Sequence, residues 1–286
     1  MTEHPQAPPP SFIIAGAMRS GTTALTSWLR LHPQVHMSST KEVHFFDRHY
    51  ERGWDWYAEH FTGAEPGAAT GEATPNYLYH PEAVGRMARD VPSARIVILL
   101  RDPIARAHSH YLQRLSGGKE SLSFAEALDA EEQRLAGGGE LERAYFSYAD
   151  RGRYHGQLER LFAHFPREAV SIHLFEDLRD SPVEVFRAVA GFIGVDPGTV
   201  PDAVGAQANA YQQFRSLRVR DLSGRLPGPL RRAIGRFNRV DVEAYPEIEP
   251  EVVERLAAEY AAEREPLARL LGRDLHEWDL WDRVSP

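Results

Sequence analysis

Residues 12–25 read FIIAGAMRSGTTAL, an apolar run that leads through a glycine-bounded loop into a helical pattern. The run Phe12–Ala15 is typical of a buried parallel strand. Leu25 and Trp28 then recur at helical spacing before Pro33 ends the pattern. Because a strand, a tight turn and a helix make the first half of a βαβ unit, this stretch predicts an α/β fold.

Further buried strands are predicted at Arg95–Leu100 and Val170–Phe175, and each of them follows a helical pattern. Strands that alternate with helices indicate a central, mostly parallel sheet that helices cover on both faces. Ligands of such sheets bind at the carboxyl ends of the strands. The loops after Ala15 and Leu100 are therefore predicted to contribute to a ligand-binding site.

The composition of the 286-residue chain excludes several classes of protein. It has no cysteine, so disulfides and thiolate metal sites are excluded. The formal net charge of −8 speaks against a nucleic-acid binder, and no apolar run reaches the roughly 18 residues of a membrane span. We expect a proline-rich, disordered lead over residues 1–11, a single domain over 12–286, a cytoplasmic location and no membrane partner.

Residues 16–23 have the spacing of a phosphate-binding loop, in which backbone N–H groups and a helix N-terminus bind an anion. The version found in nucleoside triphosphatases has a lysine at the position of Thr22, and its absence speaks against hydrolysis of ATP or GTP. Arg19 lies inside the loop, where its guanidinium can reach a bound anhydride. The alternative is a structural glycine turn with a solvent-facing arginine.

The loop after Leu100 carries a second cation, Arg101, and Ser109 lies two helical turns further on. In a doubly wound sheet this loop lies beside the first one, so Arg101 and Ser109 are predicted to bind a second phosphate of the same nucleotide. An ordinary helix start with Asp102 as its cap is the alternative.

Four segments together resemble one family. FIIAGAMRSGTTAL resembles the 5′-phosphosulfate loop of sulfotransferases that use 3′-phosphoadenosine 5′-phosphosulfate (PAPS), and RIVILLRDPIARAHSHYLQ (95–113) resembles their 3′-phosphate motif. KEVHFFD (41–47) and GEATPNYLY (71–79) are similar to segments of the heparan sulfate sulfotransferases and their bacterial relatives. The resemblance covers nearly the whole chain. It implies a P-loop-like, three-layer α/β fold, PAPS as donor and no essential metal.

The resemblance also implies roles for residues of this chain. Its donor-binding positions fall on Arg19, Ser20, Gly21, Thr22, Thr23, Arg101, Ser109, Arg153 and, in a late loop, Arg215 or Arg218. Arg19 stands where the family usually has lysine, which keeps the charge but changes the reach of the side chain. Ala73 stands where the heparan sulfate enzymes have a lysine that touches the sulfuryl region.

Glu42 is the predicted general base. Extended geometry would place Glu42 and His44 on one side of the chain and Val43 on the other. Glu42 would then deprotonate the acceptor while His44 assists or positions it. The alternative is a structural ion pair between Glu42 and Arg19 or Lys41, and Lys41 itself is expected to be a solvated surface charge.

Other interpretations remain open at this level. A kinase with a degenerate P-loop would turn over ATP, and a non-catalytic nucleotide-binding module would bind the product 3′-phosphoadenosine 5′-phosphate (PAP) without sulfating any acceptor. His108 and His110 are rival bases, although residues two apart on a helix face different ways. The acceptor is predicted to be a carbohydrate or small molecule with a hydroxyl or an amine. The sequence does not identify it further, and it does not fix the oligomeric state.

Overall fold

The structure, a computed structural model, describes residues 9–206, 212–214, 239–241 and 246–282. These residues fall into two units. Unit 1 contains residues 9–102, 153–206 and 262–278, and unit 2 contains residues 103–152, 212–214, 239–241, 246–261 and 279–282. The single domain expected over 12–286 stays a prediction.

The strands of the described residues form two sheets. They are β1 (Phe12–Gly16), β2 (Val35–Met37), β3 (Ala69–Ala73), β4 (Arg95–Leu100), β5 (Val170–Leu174), β6 (Gln212–Phe214) and β7 (Arg239–Asp241). The first five belong to unit 1 and make a parallel sheet in the order β2-β3-β1-β4-β5. In unit 2, β6 and β7 pair antiparallel.

Helices flank the parallel sheet and make up most of unit 2. In chain order they are α1 (Thr22–Leu29), α2 (Gly53–Ala58), α3 (Ala83–Asp90), α4 (Pro103–Ser116), α5 (Phe124–Asp129), α6 (Glu131–Gly137), α7 (Glu140–Phe146), α8 (Tyr154–Phe162), α9 (Phe175–Asp180), α10 (Pro182–Ile193), α11 (Pro250–Leu271) and α12 (Asp279–Asp282). Helices α4 to α7 belong to unit 2.

The central strands of the sheet are covered on both sides. All five residues of β1 are buried, and since successive side chains of a strand point to opposite faces, both faces of β1 are excluded from water. On one face Phe12 and Ile14 belong to a core cluster with Leu25 and Trp28 of α1 and Phe186 of α10. The predicted α/β fold, with a central parallel sheet between helices, is confirmed.

Two strands lack a strand pattern in the sequence. β2 has three residues, and β3 reads ATGEA, which is poor in the branched and aromatic residues that favour strands. β3 is fixed instead by its neighbours. Gly71 lies opposite Phe12 of β1, and a Cβ atom at Gly71 would meet the Phe12 ring, so glycine permits the close pairing. Ser11, the last residue of the predicted lead, donates its N–H to the Thr70 carbonyl at 2.7 Å.

Unit 2 contains two buried carboxylates that tie its helices together. Glu120 accepts hydrogen bonds from Arg134 at 2.6 Å and from the Tyr148 hydroxyl at 3.0 Å. Glu131 accepts the backbone N–H groups of Ala149 and Asp150, each at 2.8 Å. Because these partners satisfy the buried oxygens, the carboxylates are explained by the packing of this unit.

Candidate active site

The loop between β1 and α1 follows the central strand of the parallel sheet, at its carboxyl end. Gly21 precedes α1 with φ of 87°, a left-handed conformation that glycine adopts without strain. The first N–H groups of a helix lack intrahelical partners, and in the described part of the chain no side chain caps α1. The first turn, which includes Thr22 and Thr23, has no acidic residue. This end of α1 is therefore suited to bind an anion.

Ser20 provides a second sign that this loop holds a ligand. Its hydroxyl is buried and has no hydrogen-bond partner among the residues that the structure describes. Buried hydroxyls in folded proteins are nearly always hydrogen-bonded, so an unpartnered one at a helix N-terminus fits an acceptor that is supplied from outside the chain. A phosphate or sulfate oxygen is such an acceptor.

Arg101 brings the second predicted loop to the first. It follows β4, the neighbour of β1, and its Nη1 donates to the backbone carbonyl of Arg19 at 3.2 Å. The guanidinium carbon lies 4.5 Å from the centroid of the Phe175 ring, and the Tyr154 hydroxyl donates to the Arg101 carbonyl at 3.0 Å. Arg19 and Arg101 are thus in direct contact, as the arrangement of two neighbouring loops requires.

A chain of polar contacts leads from the first loop to the predicted base. Lys41 Nζ donates to Thr23 Oγ1 at 3.0 Å and lies 3.4 Å from Glu42 Oε1. Glu42 Oε2 lies 3.6 Å from His44 Nε2. Lys41 is exposed, in agreement with the expected surface charge, and its ammonium group makes both of these contacts. The ion pair of Glu42 with Lys41, the alternative interpretation of Glu42, is present.

The other ring nitrogen of His44, Nδ1, is hydrogen-bonded to the buried Asp47. His44 Nδ1 lies 2.8 Å from Asp47 Oδ2, and Asn76 Nδ2 donates to the same oxygen at 2.6 Å. Asp47 is buried, and its second oxygen has no partner within the described residues. A carboxylate in this position fixes the orientation of the imidazole and favours its charged form.

These contacts set the charges of the pair. Burial opposes a charge on His44, but the hydrogen bonds to Asp47 and Glu42 outweigh it and raise the pKa of His44 to about 9. Burial also opposes a charge on Glu42, yet the hydrogen bond with His44 and the charge of Lys41 lower the pKa of Glu42. At neutral pH His44 is therefore a cation and Glu42 a carboxylate, so Glu42 is the member of the pair that can accept a proton.

The backbone here is not extended, and that prediction was wrong. Glu42 and His44 both have φ of 56°, and Arg19 has φ of 72°; they are the non-glycine residues with positive φ in the described ranges. The buried Val43 lies between these two left-handed residues. The side chains of Glu42 and His44 are therefore brought together by a turning backbone and not by an extended one. Such conformations cost roughly 1–3 kcal/mol each and persist where the surroundings impose them.

A buried carboxylate beside this segment organises the hydroxyl groups that impose the conformation. Glu72 is completely buried and accepts hydrogen bonds from Tyr57 at 2.7 Å, Tyr77 at 2.9 Å and Thr74 at 2.6 Å. Burial raises the pKa of Glu72. Three hydroxyl donors compensate for its removal from water.

Two of these hydroxyls in turn hold the backbone of the segment that carries Glu42 and His44. Tyr77 accepts the N–H of Phe45 at 2.9 Å and, at 3.4 Å, that of Phe46. Thr74 Oγ1 accepts the N–H of His44 at 3.4 Å. The position of Glu42 and His44 thus depends on a network that begins on β3.

The remaining predicted donor-binding residues lie elsewhere in the chain. Ser109 is buried on α4 in unit 2, and Arg153 directly precedes α8 in unit 1. Arg215 and Arg218 lie outside the described residues. The roles of these four residues stay predictions.

His108 and His110, the rival bases, pack against aromatic rings within unit 2. The His108 ring lies 5.2 Å from that of Phe124, and the His110 ring lies 4.9 Å from that of Tyr148. Over residues 9–206, 212–214, 239–241 and 246–282, no three His, Cys, Asp or Glu side chains form a group that could hold a metal ion. None of the helices in those ranges has the length and apolar character needed to cross a membrane.

Sequence reasoning assigned no role to several residues of this site. They are Asp47, Glu72 and Asn76. All three fall within KEVHFFD and GEATPNYLY, so the available signal was membership of these two segments. Asn76 lies 29 residues from its partner Asp47, and Glu72 lies 15 residues from its partner Tyr57, and spacing alone does not reveal such contacts.

Comparison with known proteins agrees with this geometry. The chain matches the family model of the sulfotransferase domain over residues 9–223. Heparan sulfate glucosamine 3-O-sulfotransferase 3B1 of Mus musculus is 32% identical over 270 residues, which are 94% of this chain and 65% of the mouse protein. The membrane-associated sulfotransferase kil1 of Dictyostelium discoideum is 42% identical over 105 residues, which are 36% of this chain and 22% of that protein. The chain spans less than two thirds of either relative.

A solved structure extends the comparison. The crystal structure of a sulfotransferase from Alicyclobacillus acidocaldarius has a TM-score of 0.76 and 30% sequence identity to this chain. The match covers 95% of this chain and 99% of the other. The likeness therefore includes nearly all of both chains.

Proposed function

The chain belongs to the family of PAPS-dependent sulfotransferases, and we propose that it transfers the sulfuryl group of PAPS to a hydroxyl or an amine of a carbohydrate or small molecule. Membership of this family replaces the kinase and the non-catalytic module as interpretations. One observation carries the assignment of the site. A carboxylate, Glu42, is joined through Lys41 to Thr23 of the phosphate-binding loop.

The donor would be bound at two places in unit 1. Its 5′-phosphosulfate would lie against the N-terminus of α1, where the Ser20 hydroxyl and the N–H groups of Gly21, Thr22 and Thr23 can donate. Its 3′-phosphate would be bound by Arg101, whose planar guanidinium suits an oxyanion. The contact of Arg101 with the Arg19 carbonyl supports one nucleotide shared by both loops.

The reaction we propose is an in-line displacement at sulfur. The acceptor oxygen or nitrogen forms the new bond to sulfur, while the bond from sulfur to the 5′-phosphate oxygen breaks and leaves its electron pair on that oxygen. The acceptor proton passes to Glu42. Arg19 stabilises the charge that grows on the leaving phosphate, and the cationic His44 holds Glu42 in position.

The acceptor is proposed from the surroundings of this segment. Phe45, the residue after His44, lines a cavity of about 370 Å³ with Tyr50, Gly53, Trp54 and Asp90. Aromatic faces together with a carboxylate can bind the apolar face and the hydroxyls of a sugar ring. The name of the mouse relative specifies a glucosamine of heparan sulfate, which also supports a carbohydrate.

Two substitutions separate the proposed roles of Glu42 in proton transfer and of Arg101 in donor binding. Glu42→Gln should keep PAP binding in calorimetry but lower kcat by about 10²-fold or more, because it removes the proton acceptor. Arg101→Ala should weaken PAP binding by at least roughly ten- to a hundredfold, which is the loss expected for one charge-assisted hydrogen bond alone. Turnover is followed as PAPS-dependent sulfation of a panel of sugars and phenols by mass spectrometry.

The outcomes separate the parts of the proposal. Near-normal turnover of Glu42→Gln would remove Glu42 as the base. Unchanged PAP binding by Arg101→Ala would remove Arg101 from the site. Failure of the parent protein to bind PAP would overturn PAPS as the donor.

A further inference from the structure

Lys41 lies between the phosphate-binding loop and the proposed base. We infer that its ammonium group binds the 5′-phosphate of the nucleotide and stabilises that phosphate as the leaving group. The sequence alone predicts a solvated surface charge at Lys41. The inference rests on the proposed function, since it names a further residue of the same reaction.

The contacts of Lys41 point to this role. Its ammonium group donates to Thr23 Oγ1 at 3.0 Å, and Thr23 is the second residue of α1. An oxyanion at the N-terminus of α1 would therefore lie within reach of the same ammonium group. An ammonium group has three N–H donors, and Thr23 and Glu42 are its partners in the described part of the chain. With half of the side chain exposed, a ligand can approach Lys41 from solvent.

The unpartnered Ser20 hydroxyl is an independent sign of an anion at the same place. Ser20 and Thr23 lie at the start of α1, on either side of the left-handed Gly21. A phosphate that accepts from Ser20 at the helix terminus would place an oxygen near Thr23 and hence near Lys41. Arg19 and Lys41 would then provide two positive charges for one phosphosulfate.

During the proposed reaction, negative charge is lost from Glu42 and gained by the leaving phosphate, and Lys41 can interact with both groups. Before reaction, Lys41 neutralises the Glu42 carboxylate, 3.4 Å away. As the bond between sulfur and the 5′-phosphate oxygen breaks, the electron pair stays on that oxygen, and Glu42 becomes neutral when it takes the acceptor proton. The attraction of Lys41 therefore shifts from Glu42 to the leaving phosphate. An interaction that strengthens along the reaction coordinate raises kcat.

A purely structural ion pair and the inferred role differ in the effect of nucleotide on Lys41. Exposed lysine–glutamate pairs contribute little to stability, so in both cases the loss of Lys41 should leave the melting temperature nearly unchanged. A structural pair would, however, leave the reactivity of Lys41 toward small reagents unaffected by nucleotide. The two roles can thus be told apart without measuring turnover.

The sequence provides an internal control for this measurement, because Lys41 and Lys119 are its two lysines. Lys119 is exposed in unit 2. The protein is acetylated briefly with and without PAP, and both sites are quantified by mass spectrometry. With PAP at about 100 times its Kd, bound protein predominates and acetylation of Lys41 should slow by about tenfold or more, while Lys119 is unaffected. Equal acetylation of Lys41 in both samples, with PAP bound by calorimetry, would overturn the inference.

Substitutions provide the second test. Lys41→Gln should lower PAP affinity about tenfold and kcat by a further tenfold or more, whereas Lys41→Arg should recover part of both because it keeps the charge. Lys119→Gln is the matched control and should match the parent protein. If Lys41→Gln has normal affinity and kcat while Glu42→Gln is inactive, this inference fails and the proposed function stands. If PAP does not bind the parent protein, the proposed donor fails first.

Discussion

Tyr77→Phe removes a single oxygen atom that supports the segment carrying Glu42 and His44. The Tyr77 hydroxyl donates to the buried Glu72 at 2.9 Å and accepts the N–H of Phe45 at 2.9 Å. An unpartnered buried donor costs about 1–3 kcal/mol, and a lost hydrogen bond to a charged group about 1.5–3 kcal/mol. The substitution should therefore reduce the free energy of unfolding by about 2.5–6 kcal/mol, with little change in volume.

Tyr57→Phe is the matched control. The Tyr57 hydroxyl also donates to Glu72, at 2.7 Å, and its ring is likewise completely buried. Its described contacts include no backbone N–H, so this substitution should cost only the part due to the carboxylate, about 1.5–3 kcal/mol. The difference between the two variants isolates the support that Tyr77 gives to the Phe45 backbone.

Urea unfolding and steady-state kinetics measure the two consequences. The midpoint should fall for both variants, further for Tyr77→Phe, with an unchanged m-value. For Tyr77→Phe we also expect kcat to fall about tenfold or more, because small displacements of catalytic groups are costly, while Tyr57→Phe stays close to the parent. Equal destabilisation by the two variants, together with parental kcat for Tyr77→Phe, would refute the reasoning.

Two further predictions concern charge and packing. Because the cationic His44 is proposed to position Glu42, kcat of the parent should fall as the pH rises through about 9. Asp47→Asn removes a charge that raises the pKa of His44, so in the kcat–pH profile of the variant this fall should move to lower pH. By the same linkage, the stability that the parent gains from the charged His44 is complete below about pH 6.5 and is lost as the pH rises through 9. Gly71→Ala should lower the free energy of unfolding by about 1–3 kcal/mol, because the added methyl group meets the Phe12 ring. Gly156→Ala on α8, where a Cβ atom has no neighbour within 4 Å, should raise the free energy of unfolding by about 0.5–1 kcal/mol. Changes of the same sign for the two variants in thermal unfolding would contradict this prediction.

The parts of the fold that the sequence predicts are those with a local signal. β1, β4 and β5 are apolar runs beside helical patterns, so their burial can be inferred without knowledge of their neighbours. β2 and β3 are short or polar, and their strand conformation depends on pairing with residues far away in the chain. Local sequence patterns do not reveal this strand pairing.

The same distinction applies to the site. The contact of Arg19 with Arg101 follows from topology, because two strands that are adjacent in the sheet place their following loops side by side. The contact of Lys41 with Thr23 depends on how the chain turns at Glu42, and the preference of glutamate for negative φ gives no hint of it. The fold thus predicts neighbouring loops, whereas the roles of individual side chains depend on local conformation.

The residues proposed for catalysis, Arg19, Glu42 and His44, are also the non-glycine residues of positive φ in the described ranges. Local preference opposes these conformations, so contacts from outside each segment must maintain them. Arg101 provides such a contact for the first loop, since it donates to the Arg19 carbonyl. On the proposed function, Arg101 would therefore both bind the donor and shape the loop that binds the same donor. Arg101→Ala should therefore weaken PAP binding by more than the loss of one phosphate contact would. The reason is that the variant must also order Arg19 when the nucleotide binds.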